Sequence, residues 1–447
     1  MSSPVAAPSA PSPTPTSDPN DDDSPLPTGM HGYVALLQRN PNARKVWISQ
    51  VVSQLGNWFN TVALLGLLVE MTHNPAAGNW ISVAQIIPVA VVGLFISGLV
   101  ADRFDRRRIM IVADLVRAVI ALSFLLIRSP ETAWIAYAGT VALAIGTSFY
   151  QPAASAALPN IVTPRQLPVA AMLGQTTFAT MLFVGAFVGG VITTLFGRDI
   201  AFVLNALSFL VSAILVWQTR ANFNAKDTRQ VLSGASTLRV LTEGFRYLRD
   251  NPLVRTYVLA KPAAAWALGG FGLFGTYSIA IYGTGDLGTS LLYAGRGIGA
   301  FISPLLISGL LSFQDTRPLN RFIRIGMLMV VLGYGLFAFT TSPIAGMLCA
   351  GVAHFGNAWA MTLSGLIVQS KTPDHVRGRV LALDNVGWSL TSALSNVVVG
   401  FLAIQYSPQV GVLTAVGLTA VCVLAWMIAA CKVTMQPQAH PQPEIMG

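Results

Sequence analysis

An all-α membrane fold of twelve spanning helices, arranged as two pseudo-symmetric six-helix halves, is what this sequence predicts, on three observations. Apolar stretches of roughly 20 residues, each long enough to cross a hydrocarbon core about 30 Å thick, recur along most of the chain. Lys and Arg residues are crowded into alternate breaks between those stretches. The two halves also carry matching short sequences at matching places.

The composition supports the first observation. Of 447 residues, 53% are hydrophobic and only 10% charged, with a mean hydropathy of +0.61. Soluble domains are charged at about a quarter of their positions, so most of this surface faces something other than water. The net charge of +9 lies in short runs between apolar segments, which reads as an orientation signal. A lipid bilayer, and no nucleic acid, is therefore the expected partner. Cys349, Cys422 and Cys431 all fall inside apolar stretches, with no disulfide framework and no metal-ligand spacing. No metal or cofactor is expected. Before the first stretch, prolines run from Pro4 to Pro27 around Asp21, Asp22 and Asp23. Such a segment cannot bury a core, and residues 1–40 are expected to form a disordered tail.

Apolar runs between charged or Pro/Gly-rich breaks place the spans near 46–71, 79–100, 109–127, 133–156, 168–195, 200–218, 253–280, 288–311, 322–341, 344–368, 380–405 and 410–431. One set of alternate breaks holds Arg39, Arg44, Lys45, Arg103, Arg106, Arg107, Arg108, Arg165, the cluster from Arg220 to Arg255, Arg317, Arg321, Arg324, Lys371, Arg377, Arg379 and Lys432. The other set holds only Arg128 and Arg198. Basic excess marks the cytoplasmic side, so both termini are expected there. The longest connection divides the chain into a half at 41–218, a linker at 219–252, a half at 253–432 and a tail at 433–447. In the linker, Leu238, Leu241, Phe245 and Leu248 stand at helical spacing among Arg239, Glu243, Arg246 and Arg249. That pattern fits an amphipathic helix lying along the membrane surface, or equally a plain linker helix.

Ile96-Ser97-Gly98-Leu99 closes span two and Ile307-Ser308-Gly309-Leu310 closes span eight. Thr163-Pro164 follows span four and Thr372-Pro373 follows span ten, at nearly the same interval, close to half the chain. Paired repeats of this size are a recurrent plan of secondary transporters, with the substrate site between the halves near the membrane midplane.

The loop after span two reads Gly98-Leu99-Val100-Ala101-Asp102-Arg103-Phe104-Asp105-Arg106-Arg107-Arg108. It resembles the Gly-x-Leu-Ala-Asp-Arg-x-Gly-Arg-Arg loop of the major facilitator superfamily, with Asp105 in place of the second Gly. Asp114 and Arg117, Gln151-Pro152-Ala153, Leu158-Pro159, Phe202 to Phe209 and Arg377-Gly378-Arg379-Val380 narrow the resemblance over residues 40–432. Together they look like the bacterial branch containing enterobactin and other siderophore exporters and macrolide or multidrug efflux pumps. Gly185-Ala186-Phe187-Val188-Gly189-Gly190 resembles the antiporter motif of span five, with Ala186 where that motif has proline.

The resemblance implies a monomeric inner-membrane transporter that exports a small amphipathic molecule by alternating access, driven by protons. Uptake of a small metabolite is the alternative, followed by a membrane sensor or assembly factor without transport. It further implies a conformational switch made of Gly98, Asp102, Arg103, Arg106, Arg107, Arg377 and Arg379, with Asp102 meeting residues 378–381 when the cavity faces outward. Asp114 and Arg117 join this set as a structural or gating pair.

Polar side chains inside spans are costly and usually face a cavity. Gln50, Gln54, Asn57 and Thr61 share one face of span one, and similar exporters often have Asp at the Asn57 position. His354, Asn357, Met361 and Ser364 align on span ten, and Asp384, Trp388, Thr391 and Ser395 on span eleven. Lys261 and Arg296 lie in spans seven and eight. Gln50, Gln54, Asn57, Thr61, Lys261, Arg296, Asn357 and Trp388 are thus candidates for the cavity, and Asp384 and His354 for proton coupling, with Lys261 as a partner charge. Glu70 is expected to be solvated at the outer surface. Enzyme signatures are lacking: Gly270-Phe271-Gly272-Leu273-Phe274-Gly275 matches a dinucleotide fingerprint only formally, because it lies inside an apolar span with no strand before it.

Overall fold

The structure is a computed structural model that describes residues 26–27, 29–93, 96, 100, 103–224, 234–308 and 316–435. Its helices are α1 (Met30–Arg39), α2 (Pro41–Thr72), α3 (Ala77–Val92), α4 (Arg106–Ser123), α5 (Trp134–Ile161), α6 (Leu167–Phe196) and α7 (Arg198–Trp217) in the first part. A linker helix α8 (Gly234–Asp250) leads to α9 (Pro252–Ile281), α10 (Gly285–Ser308), α11 (Thr316–Phe337), α12 (Pro343–Lys371), α13 (Asp374–Gln405) and α14 (Pro408–Met435). Among the described residues, ten helices are long and apolar enough to cross a membrane. The other two predicted spans correspond to α3, 16 residues long up to Val92, and α10, whose apolar run is interrupted by Arg296 and several glycines. Gly98, Asp102, Ser97 to Leu99 and Gly309-Leu310 of the two repeats, residues 1–25 and residues 436–447 lie outside the described residues.

Helix starts follow from local chemistry. Asn40 caps α2 by accepting from the Ala43 N–H at 2.9 Å, with Pro41 in the first turn. Asp105 caps α4 through the Arg108 N–H at 2.8 Å, and its other oxygen accepts from Asn224 Nδ2 at 2.9 Å. The departure from the superfamily loop at this position is therefore a helix cap. Because polar and proline residues can occupy first turns, several helices begin before the apolar run does: α13 starts at Asp374, where the apolar pattern starts near 380.

Two predicted elements differ. The end of the expected disordered tail, Met30–Arg39, is helical, because Leu36 packs with Ala43, Val46 and Ala170 and is 1% exposed. Span seven is irregular: Trp266–Leu273 winds as a 3-10 helix and Tyr277–Ile281 as a π-helix. Gly269, Gly270 and Gly272 favour no regular helix there, and each lies against a neighbour (Ser395, Tyr334 and Asn79 respectively). The dinucleotide-like glycines are packing residues. Helix α8 docks on the second half, with Leu248 buried beside Val254 and Tyr257 and Glu243 ion-paired to Arg379, while Phe245 is exposed.

The halves meet along two seams, α6 against α10 and α3 against α13. Counted as spans these are five with eight and two with eleven, which exchange when the halves are swapped, as pseudo-symmetry requires. Buried side chains then divide unequally. At the end holding the α2–α3 and α9–α10 turns, a single core crosses the seams, joining Leu65, Phe124 and Phe202 to Phe274, Tyr277 and Phe337. Toward the basic loops there are two separate cores. One, in the first half, holds Val46, Met110, Tyr150 and Val216; the other, in the second, holds Tyr257, Ile323, Trp359 and Trp426. The bundle is joined at one end and divided at the other.

Candidate functional site

Between the halves, above the point where the cores divide, lies a cavity of about 300 Å³. Helices α2, α3 and α5 supply Asn57, Asn60, Thr61, Gln85 and Thr147, and the second half supplies Phe271, Tyr293 and Arg296. A larger cavity of about 670 Å³ lies toward the basic end and includes Gln50, Gln54, Gln151, Gln175 and Phe178. Thr147 lines both. The four polar positions predicted on one face of span one thus divide in pairs between two consecutive chambers.

The joined end is held by an ion cluster. Arg198 Nε and Nη2 donate to Asp286 Oδ2 and Oδ1, both at 2.9 Å, and Nη1 donates to Glu70 Oε2 at 2.7 Å. Asp286 belongs to the second half, so this fork spans the seam. Two turns position it. Gly197 has φ +83° between α6 and α7, and Gly285 has φ +58° at the start of α10, a left-handed conformation that side chains disfavour. Asp286 also sits in the first turn of α10, where a carboxylate complements the helix dipole. Gly66 makes room, since a Cβ there would overlap the Asp286 carboxylate. Nearby, Asn79 Nδ2 donates across the seam to Gly269 O at 2.8 Å and to Asn396 Oδ1 at 3.2 Å, and Thr276 Oγ1 donates to Pro75 O at 2.7 Å. These hydrogen bonds between the halves lie at this end. Glu70 is therefore part of a lock and not a freely solvated charge.

The span-five motif serves the same closure. Gly185 and Gly189 lie against Trp58 of α2, and a Cβ on Gly190 would overlap Ser290 of α10. Ala186, in the place of the motif's proline, is fully buried.

Each half also buries a charged pair. In the first, Asp114 is ion-paired with Arg117 and accepts from Ser212 Oγ at 2.7 Å, and the guanidinium lies 4.5 Å from the centroids of both Tyr150 and Phe209. In the second, Lys261 is ion-paired with Asp384, whose Oδ1 is buried without a donor. Trp388 Nε1, Asn357 Oδ1 and Ser392 Oγ are likewise buried without partners. Asn357 Nδ2 contacts Met361 Sδ at 3.4 Å. His354 is not part of the Lys261–Asp384 pair; its Nε2 is 2.9 Å from Tyr334 Oη inside the second half. Lys261, Asn357 and Trp388 line neither of the two cavities above.

Of the switch-loop residues that are described, Arg103 is exposed, while Arg106 Nη1 donates to Ala156 O at 2.8 Å and Arg107 donates to Trp217 O. Across the opening, Arg377 Nε donates to Thr372 O at 3.2 Å and Arg379 holds Glu243. Gly378 meets nothing within 4 Å of a Cβ position. Each of these contacts is made within the half, or the linker helix docked on it, that carries the arginine.

Arg198 and Asp286 do not stand out as a site in the sequence. Each resembles an ordinary charge beside a short loop, and the available signal was their position: Arg198 is one of two basic residues on an otherwise unbasic side.

The sequence profile of the family described as transmembrane secretion effector matches residues 35–445. The putative bacilysin exporter BacE of Bacillus subtilis (strain 168) is 22% identical, over 82% of this chain and 90% of that protein. Macrolide efflux protein A of Streptococcus pyogenes is 23% identical, over 82% and 89%. Among solved structures, a bacterial homolog of the human lysosomal transporter Spinster, described as inward-facing and occupied, superposes with TM-score 0.68 at 12% identity, covering 92% of this chain and 100% of that one. The match spans nearly the whole bundle, and the relatives are transporters, not enzymes; this chain belongs to the transmembrane secretion effector family of the major facilitator superfamily, as a multi-pass membrane transporter with efflux proteins among its relatives.

Proposed function

We propose that this transporter exports a small amphipathic molecule, of siderophore or antibiotic type, from the cytoplasm across the bacterial inner membrane by alternating access in exchange for protons. The observation that carries this reading is the cavity built jointly by both halves, closed at one end by the Arg198 fork and continuous in lining with a larger chamber toward the other. Such an arrangement suits a site that opens alternately to two sides. The loop charges support placing the basic end, and with it both termini, in the cytoplasm, so that the described state loads cargo from inside. The efflux function printed for the bacilysin and macrolide relatives supports outward transport.

The roles divide accordingly. Asn57, Thr61 and Arg296 contact cargo in the central chamber, and Gln50 and Gln54 line its entry. Asp384 with Lys261 exchanges the proton: a carboxylate with one unpartnered oxygen gains a donor when protonated, and an ammonium can give up its proton. Asp102 and the loop arginines hold the opposite, outward-facing state. His354, engaged with Tyr334, takes a packing role in this scheme.

Inverted inner-membrane vesicles from an efflux-deficient host test the reading. Energised vesicles carrying the protein are expected to accumulate labelled erythromycin or enterobactin, and a protonophore is expected to abolish accumulation. Accumulation of neither, or accumulation that survives the protonophore, would overturn export or proton coupling respectively.

A further inference from the structure

Three cations described in the spans are paired with carboxylates; Arg324, near the basic end of α11, donates to Cys431 Sγ, and Arg296 stands on the wall of the central cavity. Arg198 meets Glu70 and Asp286, Arg117 meets Asp114, and Lys261 meets Asp384. Arg296, halfway along α10, has no carboxylate partner among the described residues. Its guanidinium carbon is 4.4 Å from the Phe271 ring centroid and 5.8 Å from that of Tyr293, and Nε is buried with no acceptor. Aromatic faces attract a guanidinium, but they do not neutralise it or accept along its N–H directions. Nor does the rest of the chamber. Its lining contains amides and hydroxyls (Asn57, Asn60, Thr61, Gln85) and no Asp or Glu. Asn60 Oδ1 is itself buried there without a donor.

A full positive charge at mid-span is expensive unless something in the cavity pairs with it. Arg presents a planar fork that matches a carboxylate with two parallel hydrogen bonds, and removal from water strengthens such a pair. We propose that the cargo carries a carboxylate that docks on Arg296, with its apolar or aromatic body against Phe271 and Tyr293 and its hydrogen-bond donors toward Asn57 and Asn60. This inference rests on the export reading above and narrows it to a substrate class, an amphipathic carboxylate.

Matched acid and amide pairs test it on the full-length protein in lipid nanodiscs: indole-3-acetate with indole-3-acetamide, 2-naphthoate with 2-naphthamide, and N-acetylphenylalanine with its amide. The readouts are the thermal unfolding midpoint and tryptophan fluorescence, which Trp58 at the chamber wall makes sensitive to occupancy. The acids are expected to raise the midpoint and to bind at least tenfold more tightly than their amides. Arg296→Gln is expected to erase that preference and Arg296→Lys to keep part of it. Equal binding of acids and amides, no effect of any acid, or a preference that survives in Arg296→Gln would overturn the proposal. The comparison on the unaltered protein stands even if Arg296→Gln fails to fold. A cargo without an acidic group exported equally by the wild type and Arg296→Gln would overturn the carboxylate while leaving export intact. Acid preference in nanodiscs without transport of any cargo by vesicles would support the site and overturn export alone.

Discussion

The two halves bury one charged pair each, and the pairs are unequal. Asp114 and Arg117 form a closed set: the carboxylate receives Arg117 and Ser212, and two aromatic rings cover the guanidinium. Lys261 and Asp384 form an open one, with a carboxylate oxygen unsatisfied, and Trp388, Asn357 and Ser392 of the same half also leave a buried donor or acceptor unpaired. Buried polar groups are normally satisfied, so an accumulation of exceptions points to groups that find their partners in another state. The chemistry of the cations agrees. A guanidinium keeps its charge, whereas an ammonium on a flexible stem can lose it. The first pair is suited to fastening α4 to α7, and the second to changing between states.

Removing one carboxylate from each pair is the sharpest way to break this comparison. Asp114→Ala leaves Arg117 buried and charged without a counter-ion, a situation that costs about 3–5 kcal/mol. Its expected outcome is a large drop in the unfolding midpoint in detergent, with little protein reaching the membrane. Asp384→Asn keeps the shape and leaves an ammonium that can deprotonate or extend along its stem. It is expected to fold, with a midpoint loss less than half that of Asp114→Ala. Proton-driven transport should fall by at least roughly tenfold, equivalent to about 1.4 kcal/mol, while cargo binding falls less. Equal stability losses in the two variants, or transport by Asp384→Asn that keeps the wild-type response to pH, would remove the distinction.

A smaller effect is expected at the ends of the bundle, where the interactions exist in one conformation only. Asp286→Asn removes the charge that ties Arg198 across the seam. Glu70 remains as a partner within the first half, so the fold should persist. Loss of the interaction shifts the balance away from the described state by about 1–2 kcal/mol, a five- to thirty-fold change in populations. Spin labels on α3 and α13 near the joined end should report longer distances; an unchanged distance distribution would mean the apolar core alone holds that end.

How much of this was legible in the sequence depends on range. The spans, the basic-end loops and the division into two repeated halves follow from periodicity and repeats, because bilayer thickness and loop charge act locally. Lys261 could be named as a possible partner for Asp384 because charges inside spans are rare enough to seek each other. The Arg198 fork was hidden for the opposite reason: interfacial charges need no partner, so nothing near Asp286 announces one in α7. The division of Gln50, Gln54, Asn57 and Thr61 between two chambers was also hidden, since a helical face says which way residues point and not where a neighbouring helix closes the space. The 3-10 and π segments of α9 had a signal in the glycines from Gly269 to Gly275, but the number of residues each turn would hold depends on contacts with Ser395, Tyr334 and Asn79.

Asp102 carries the smallest expected energy and the most informative sign. The superfamily resemblance of its loop implies that the carboxylate meets residues 378–381 when the cavity faces outward; Gly378 is exposed with open space around it in the described state. A carboxylate accepting backbone N–H groups at a helix start is worth roughly 0.3–2 kcal/mol. Losing it should favour the state open at the basic end, the reverse of what Asp286→Asn does at the other end. Asp102→Asn is therefore expected to express and unfold like the wild type, to transport poorly, and to increase labelling of a cysteine introduced at Gln54 from the cytoplasmic side. Combining it with Asp286→Asn should bring labelling back toward the wild type, because two opposite shifts of similar size cancel when the sites are far apart. Labelling that rises further in the double variant would show that the two ends do not oppose each other, and the reading of one two-state switch with a latch at each end would fall.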